Sequence, residues 1–490
     1  MRHPPPLPAT ELLLVSGGDA RIRPDPRTGR SLYGCPPRPD PELVALGSCT
    51  ATPVSEAGFS VADCLRKSCA ERLRSVPSFR VHAEQAARLR DDIQQICGLR
   101  PEEGSEVILT ASGTDAHLLA AHWLKPRRVV TVSATETGSG VPSALRGQHY
   151  GLQAAYGSRV AVGEFLDGWE SELVELAPRR EDGLLRETTA IDAECAERVA
   201  ETVAKGGRVL LVVADLSKTG LIVPSVAMAR ALKARWPNRV EVLVDACQFR
   251  LTMETLRNYL REGWLVALTG SKFMAGPTFC GALLVPESLA VRYRDTILSK
   301  SLTAYTCRGD WPENWPVARA LPDSANFGLL LRWEAALVGM HDFASLPETA
   351  ITKFLRAFGQ SVREWLRTEK GFRELPALAP TRSGIGDNLR WDAEQTIFPF
   401  VPCHRNGIPL KLDEIQGLYR ALQEPLRSGR RFQFGQPVPC GHHGGEVVGA
   451  LRLCVSARMA VTACREENSA EVIGDALAGL DALGELLRST

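Results

Sequence analysis

The sequence reads as an α/β fold. Short runs rich in Val, Ile and Leu, apolar on both faces, alternate with helical runs, and such strands build a mostly parallel sheet covered by helices on both sides. After Pro316 the texture changes, and a smaller α+β lobe is expected there. With 490 residues the chain is too long for one small core. The division expected is an extended N-terminal arm over residues 1–80, a large domain over 81–316 and a small domain over 317–490.

The opening segment, to about Pro77, is rich in Pro, Gly and Arg and is expected to carry little regular structure, ordered at most by packing. From Val81 to Cys97 the apolar residues Ala83, Ala86, Leu89, Ile93 and Ile96 recur at steps of three or four, which predicts a helix. Strands are expected at Val107–Thr110, Val129–Val132, Val209–Val213, Val240–Val244, Trp264–Leu268 and Cys280–Val285, with helices such as Ala193–Lys205 and Pro224–Arg235 between them. In the small domain, helices are expected over Asn326–Met340, Leu346–Thr368 and Ala470–Leu487. Strands are expected near Gln395–Val401, Arg431–Val438 and Leu451–Ser456.

A formal charge of +1 leaves no electrostatic footprint for nucleic acid or an anionic membrane. The longest apolar runs fall well short of a membrane span, and Met1–Gly18 lacks the apolar centre of a signal peptide, so a cytoplasmic location is expected. Thirteen scattered cysteines without a Cys-x-x-Cys pair read as reduced, buried thiols. Cys403-His404 with Cys440 and His442-His443 matches no structural zinc spacing, and no metal site is expected.

Chemistry concentrates in four segments. Ser112-Gly113-Thr114 follows a strand and opens a helix, where free N–H groups and the helix dipole favour a phosphate. Asp245 ends an apolar run in Val244-Asp245-Ala246-Cys247-Gln248, and Lys272 closes the turn Thr269-Gly270-Ser271-Lys272. The fourth is Asp215-Leu216-Ser217-Lys218-Thr219-Gly220. A strand-end carboxylate followed by a lysine in a Ser/Thr/Gly turn suits pyridoxal phosphate: the lysine amine takes the aldehyde as a Schiff base, and the acid keeps the pyridine nitrogen protonated.

In this order the segments resemble fold type I pyridoxal-phosphate enzymes, the class V aminotransferase and cysteine desulfurase branch, over about Val81–Pro286. The resemblance implies an aspartate aminotransferase-like large domain with a seven-stranded sheet and, through a turn near Ser324 and Asn326, a homodimer with the cofactor near the subunit interface. It places Asp245 on the pyridine nitrogen, Gln248 near the phenolic oxygen, and Gly113-Thr114 with Ser112, Thr269 and Ser271 at the phosphate. Ser217 falls in the strand-end turn beside the ring. Thr137 stands where desulfurases of the branch carry a stacking histidine. Arg452 and Arg458 fall where relatives bind the substrate carboxylate, with Arg452 preferred, and Cys440 is the one candidate for a desulfurase nucleophile.

The function this implies is chemistry on a small amino-acid substrate through a Lys272 Schiff base and an α-carbanion, or quinonoid, intermediate. Lys272 and Asp245 are the catalytic pair. An aminotransferase is favoured; the alternative is a lyase performing elimination or replacement at the β or γ carbon, desulfurase-like. A non-catalytic cofactor-binding sensor is the third reading, and the chain offers no basic DNA-binding module for it. The arm, including Leu46-Gly47-Ser48-Cys49-Thr50, is expected to shape the substrate pocket.

Overall fold

The computed structural model describes residues 7–385, 390–426 and 429–489. In chain order the strands are β1 (Leu43–Leu46), β2 (Glu106–Thr110), β3 (Arg128–Val132), β4 (Glu172–Leu176), β5 (Val209–Ala214), β6 (Val240–Ala246), β7 (Leu265–Thr269), β8 (Gly281–Val285), β9 (Phe372–Glu374), β10 (Ile397–Pro402), β11 (Arg431–His443) and β12 (Glu446–Cys454). Seven of them form one sheet in the order β2-β8-β7-β6-β5-β3-β4. Only β8 runs against the rest, pairing antiparallel with both β2 and β7. The fold is the α/β architecture its apolar runs imply: every residue of β3, β5, β7 and β8 is buried, as expected for strands covered on both faces.

A second sheet, in the order β1-β11-β12-β10-β9, forms the C-terminal lobe. Its edge strand β1 comes from the N-terminal segment and pairs parallel with β11, Leu43 opposite Arg431. That segment is therefore woven into the lobe. It also holds more regular structure than its composition suggested, since Glu56–Arg72 is a helix whose N-cap Ser55 accepts the Gly58 N–H. Its amphipathic signal is interrupted by Gly58, Ser60 and Ser68, which masked it. β4 was also missed, because Glu172 and Glu175 alternate with apolar residues on a half-covered edge strand and break the fully apolar pattern.

The Phe327–Ala344 helix is buried over most of its length and runs through the interior. Its Arg332 side chain, fully buried, donates to the carbonyls of Leu14 (3.3 Å), Ser16, Gly17 (2.9 Å) and Phe279. One guanidinium thus ties the start of the arm to the β7–β8 connection. Both tethered segments border the cavity described next.

Candidate active site

The cavity opens at the carboxyl ends of β2, β3, β5, β6 and β7, the edge at which open α/β sheets bind ligands. Its wall includes Ser112, Gly113, Thr114, Thr137, Asp245, Gln248, Thr269, Ser271, Lys272 and Arg452, ten residues that the sequence scatters over 341 positions. Chain direction explains the convergence: parallel strands end on the same side, so each strand-end loop delivers its side chains to one place. A larger apolar recess bounded by Ile191, Leu221 and Leu378 contains none of these groups.

Asp245 is held by three donors or cations. The Cys247 N–H donates to Oδ1 at 3.2 Å, the Thr137 hydroxyl to Oδ2 at 3.3 Å, and His117 Nε2 stands 3.4 Å from Oδ2. Burial alone would push this carboxyl up; the His117 ring, the Lys272 ammonium and the Cys247 thiol outweigh it and hold it well below the usual carboxylate range. His117 is fully buried, and burial works against its charge, but Asp245 and the Gly113 carbonyl raise its pKa above the ordinary value. Its Nδ1 lies 2.7 Å from the Gly113 carbonyl, which can only accept, so Nδ1 carries a proton and Nε2 faces Asp245 as a charged neighbour.

The Gly113–Leu124 helix presents its N-terminus to the cavity, with Ser112 as N-cap. The Ser112 hydroxyl donates to Asp115 Oδ2 at 2.7 Å, and Tyr150 donates to Oδ1 at 2.5 Å. Burial pushes the Asp115 carboxyl up to about 6 despite those two donors. Gly113 has no room for a side chain: a Cβ there would lie 2.5 Å from Cys247 Sγ and 3.2 Å from Thr269 Cγ2. The absence of a side chain lets the helix start sit directly on the β6 and β7 loops. Arg21, from the arm, donates to Thr114 Oγ1 at 3.4 Å and is paired with Asp19 through Nε (2.8 Å) and Nη2 (2.7 Å).

Lys272 follows β7 in a tight turn in which Ala275 N–H donates to its carbonyl at 3.0 Å and Ala275 takes a φ of 59°. Arg458 braces that turn, donating to the Ala275 carbonyl (3.0 Å) and to Pro53 of the arm (2.8 Å). It does not line the cavity; as a carboxylate ligand it is spent on these carbonyls. Ser217 also lies outside the wall, because its hydroxyl donates to Glu136 Oε2 at 2.7 Å. Glu136 accepts Thr219 as well and faces Arg179 at 3.4 Å, forming a buried network that fixes the loop after β5. Gln248 points its amide to the Cys49 carbonyl at 3.0 Å and accepts from Arg250 at 3.3 Å. Cys440 lines a separate recess with Asp182 and Arg373, and burial pushes its thiol up to about 11. Asn326 caps its helix and donates to the Gly17 carbonyl at 2.9 Å.

Several wall residues were not singled out from the sequence. His117 sits four residues after Gly113, on the helix face that looks back at the sheet. It is one of two His, with His122, in an otherwise mostly apolar helix, and the sequence carries no other signal for it. Arg21 and Tyr33 of the arm line the wall without any such mark, whereas Lys218, in the segment after β5, and Cys49 and Thr50, in the arm run expected to shape the pocket, line it as well. Burial would raise the Cys49 thiol, but the Cys454 thiol, Arg452 and Arg250 outweigh it and lower it well below the ordinary value.

No family model matches the sequence, and no curated protein matches it. Solved structures do match its fold. A cysteine desulfurase from Escherichia coli is 14% identical and superposes with a TM-score of 0.54, covering 90% of this chain and 94% of its own. A serine palmitoyltransferase solved with pyridoxal phosphate is 13% identical, with a TM-score of 0.51 over 90% of this chain and 88% of its own. The glutamate decarboxylase domain of a diaminobutyrate-pyruvate transaminase and L-2,4-diaminobutyrate decarboxylase from Vibrio parahaemolyticus is 14% identical, with a TM-score of 0.52 over 91% and 81%. The chain has the aspartate aminotransferase-like fold that its motif order implied.

Proposed function

We propose that this chain is a pyridoxal-phosphate enzyme acting on a small amino acid, with transamination as its reaction. The observation that carries the reading is Asp245: a carboxylate kept ionised by His117, in the same cavity as Lys272. The donor set suits the group. A helix N-terminus with Gly113 pressed against the sheet suits its phosphate, and an ionised acid at a strand end suits its ring nitrogen.

When bound, pyridoxal phosphate supplies an aldehyde for an amine and a protonated ring that draws electrons from the substrate Cα. The N–H groups of Gly113 and Thr114, with the Ser271 hydroxyl, would hold the phosphate; the Thr269 hydroxyl is turned to the Cys247 carbonyl, to which it donates at 2.7 Å. Asp245 would keep a proton on the ring nitrogen, and the His117 charge keeps Asp245 from taking that proton itself. Lys272 Nζ would hold the cofactor at rest and then move the Cα proton as general base. Arg452 would orient the substrate through its α-carboxylate, for which a planar guanidinium is suited. A homodimer is part of this reading, by analogy with the fold.

A lyase reading is favoured by one observation, the lowered thiol of Cys49 in the cavity wall. Purified protein loaded with pyridoxal phosphate tests both. A visible absorbance band that Lys272→Ala removes supports the cofactor reading, and a band that survives this change sinks it. Amino-group transfer to a keto acid supports transamination; net release of ammonia and a keto acid supports the lyase.

A further inference from the structure

We infer that the cavity holds a second anion subsite at Lys218, so that the substrate is an amino acid whose side chain ends in an acidic group. The inference rests on the cofactor reading above and specifies its substrate class. It begins with the charges facing the cavity. Arg21 is neutralised by Asp19, Asp245 by His117, and Glu136 by Arg179 with the Ser217 and Thr219 hydroxyls. Lys272 is committed to the cofactor. Two cations in the wall are left, Lys218 and Arg452.

Neither has a carboxylate partner among the described residues. Arg452, 1% exposed, donates to the carbonyls of Lys218 (3.3 Å) and Gln436 and to Thr50 Oγ1 (3.2 Å), while its buried Nε has no partner. The Lys218 backbone N–H donates to the Glu136 carbonyl at 2.8 Å, and its Nζ makes no hydrogen bond or ion pair among the described residues. A third cation, Arg250, stands behind them and is likewise bonded only to neutral groups, namely Gln248, Thr396, Val455 and Ser48. Arg452 and Arg250 also help lower the thiol of Cys49 in the same wall. The charges of Lys218 and Arg452 stay uncompensated in a largely buried wall, a desolvation cost of the empty protein that is recovered when anions enter.

An α-amino acid brings one carboxylate, which Arg452 takes. The remaining charge matches a second anionic group, a carboxylate or sulfonate, at the end of the substrate side chain. The 3.3 Å bond from Arg452 to the Lys218 backbone carbonyl sets the two residues side by side, and both line the one cavity, so both anions belong to one small molecule. Phosphate of the cofactor is served elsewhere, at the Ser112–Thr114 helix start.

The test titrates the cofactor-loaded protein with L-aspartate, L-glutamate and L-cysteate against L-asparagine, L-glutamine and L-serine, following the visible band. At least one acidic amino acid should perturb the band at about tenfold or more lower concentration than its neutral counterpart. Lys218→Gln should erase that preference and leave the band of the free enzyme in place, whereas Lys218→Arg should keep it. Equal responses to acidic and neutral amino acids, no response to any acidic one, or a preference that survives in Lys218→Gln would overturn the subsite. Absence of the band in the wild-type protein is a different failure, that of the cofactor reading. Calorimetry with glutarate and butyrate gives a second measurement: glutarate should bind the wild-type protein more tightly, and only through Lys218.

Discussion

His117 Nε2 stands 3.4 Å from Asp245 Oδ2, and its Nδ1 lies 2.7 Å from the Gly113 carbonyl. One ring therefore couples the helix start that would receive a phosphate to the acid that would hold a ring nitrogen. Asp245 keeps 14% exposure, directed into the cavity, while His117 has none, so the histidine acts on a ligand only through the carboxylate.

Replacing His117 should accordingly weaken function without removing a contact to substrate. His117→Leu leaves a buried carboxylate without its cation, a loss of about 1–3 kcal/mol, or roughly tenfold to a hundredfold in turnover. The pH titration of the visible band should shift with it, a readout that simple loss of packing would leave unmoved.

Gly113→Ala places a Cβ within 2.5 Å of Cys247 Sγ and displaces the helix start from the sheet. Overpacking of this kind costs about 1–3 kcal/mol. The expected result is a lower melting temperature together with a cofactor dissociation constant raised about tenfold or more, measured by absorbance titration.

The substrate preference should depend on pH through Lys218. Burial first, then Arg452 and Lys272, lower its ammonium to about 8, while Glu136 and Cys49 pull the other way. The charge is present below that pH and is lost as the pH rises through it. Half-saturation for the preferred acidic amino acid should therefore rise about tenfold per unit above pH 8, set by one proton, relative to that for a neutral amino acid. A pH-independent ratio between the two would contradict the assignment.

Stability should respond most to a buried pair outside the cavity wall. Arg382 meets Asp215 through Nε (2.7 Å) and Nη2 (2.6 Å), both side chains are at most 3% exposed, and Tyr259 donates to the same carboxylate at 2.7 Å. Removing one member strands the other, so Arg382→Ala should destabilise the fold by about 3–5 kcal/mol in urea unfolding. Asp215 directly precedes the loop bearing Lys218, and acidic-substrate binding should weaken in the same variant.

Much of the fold was legible because its strands are buried on both faces and therefore spelled in uninterrupted Val, Ile and Leu. β4 and the Glu56–Arg72 helix escaped because each is partly solvated, and a partly solvated element carries a weaker pattern. Asp245, Lys272, Gly113 and Thr269 could be picked out for a related reason: each lies at a strand end or helix start, where local sequence dictates local geometry.

What the sequence determined by itself was the α/β class and the strand-end residues that meet at one edge of its sheet. Tertiary structure decided which side chains face the cavity. It turned Ser217 to Glu136, spent Arg458 on two carbonyls, and left Arg452 and Lys218 in the cavity wall without a carboxylate partner among the described residues. It also brought His117 beneath Asp245 and the arm residues Cys49 and Thr50 beside Arg452, contacts between segments separated by 128 to 403 positions. The physical reason is that strand and helix formation depend on neighbours in sequence, whereas the partner of a buried charge is chosen by packing between segments that only the closed fold brings together.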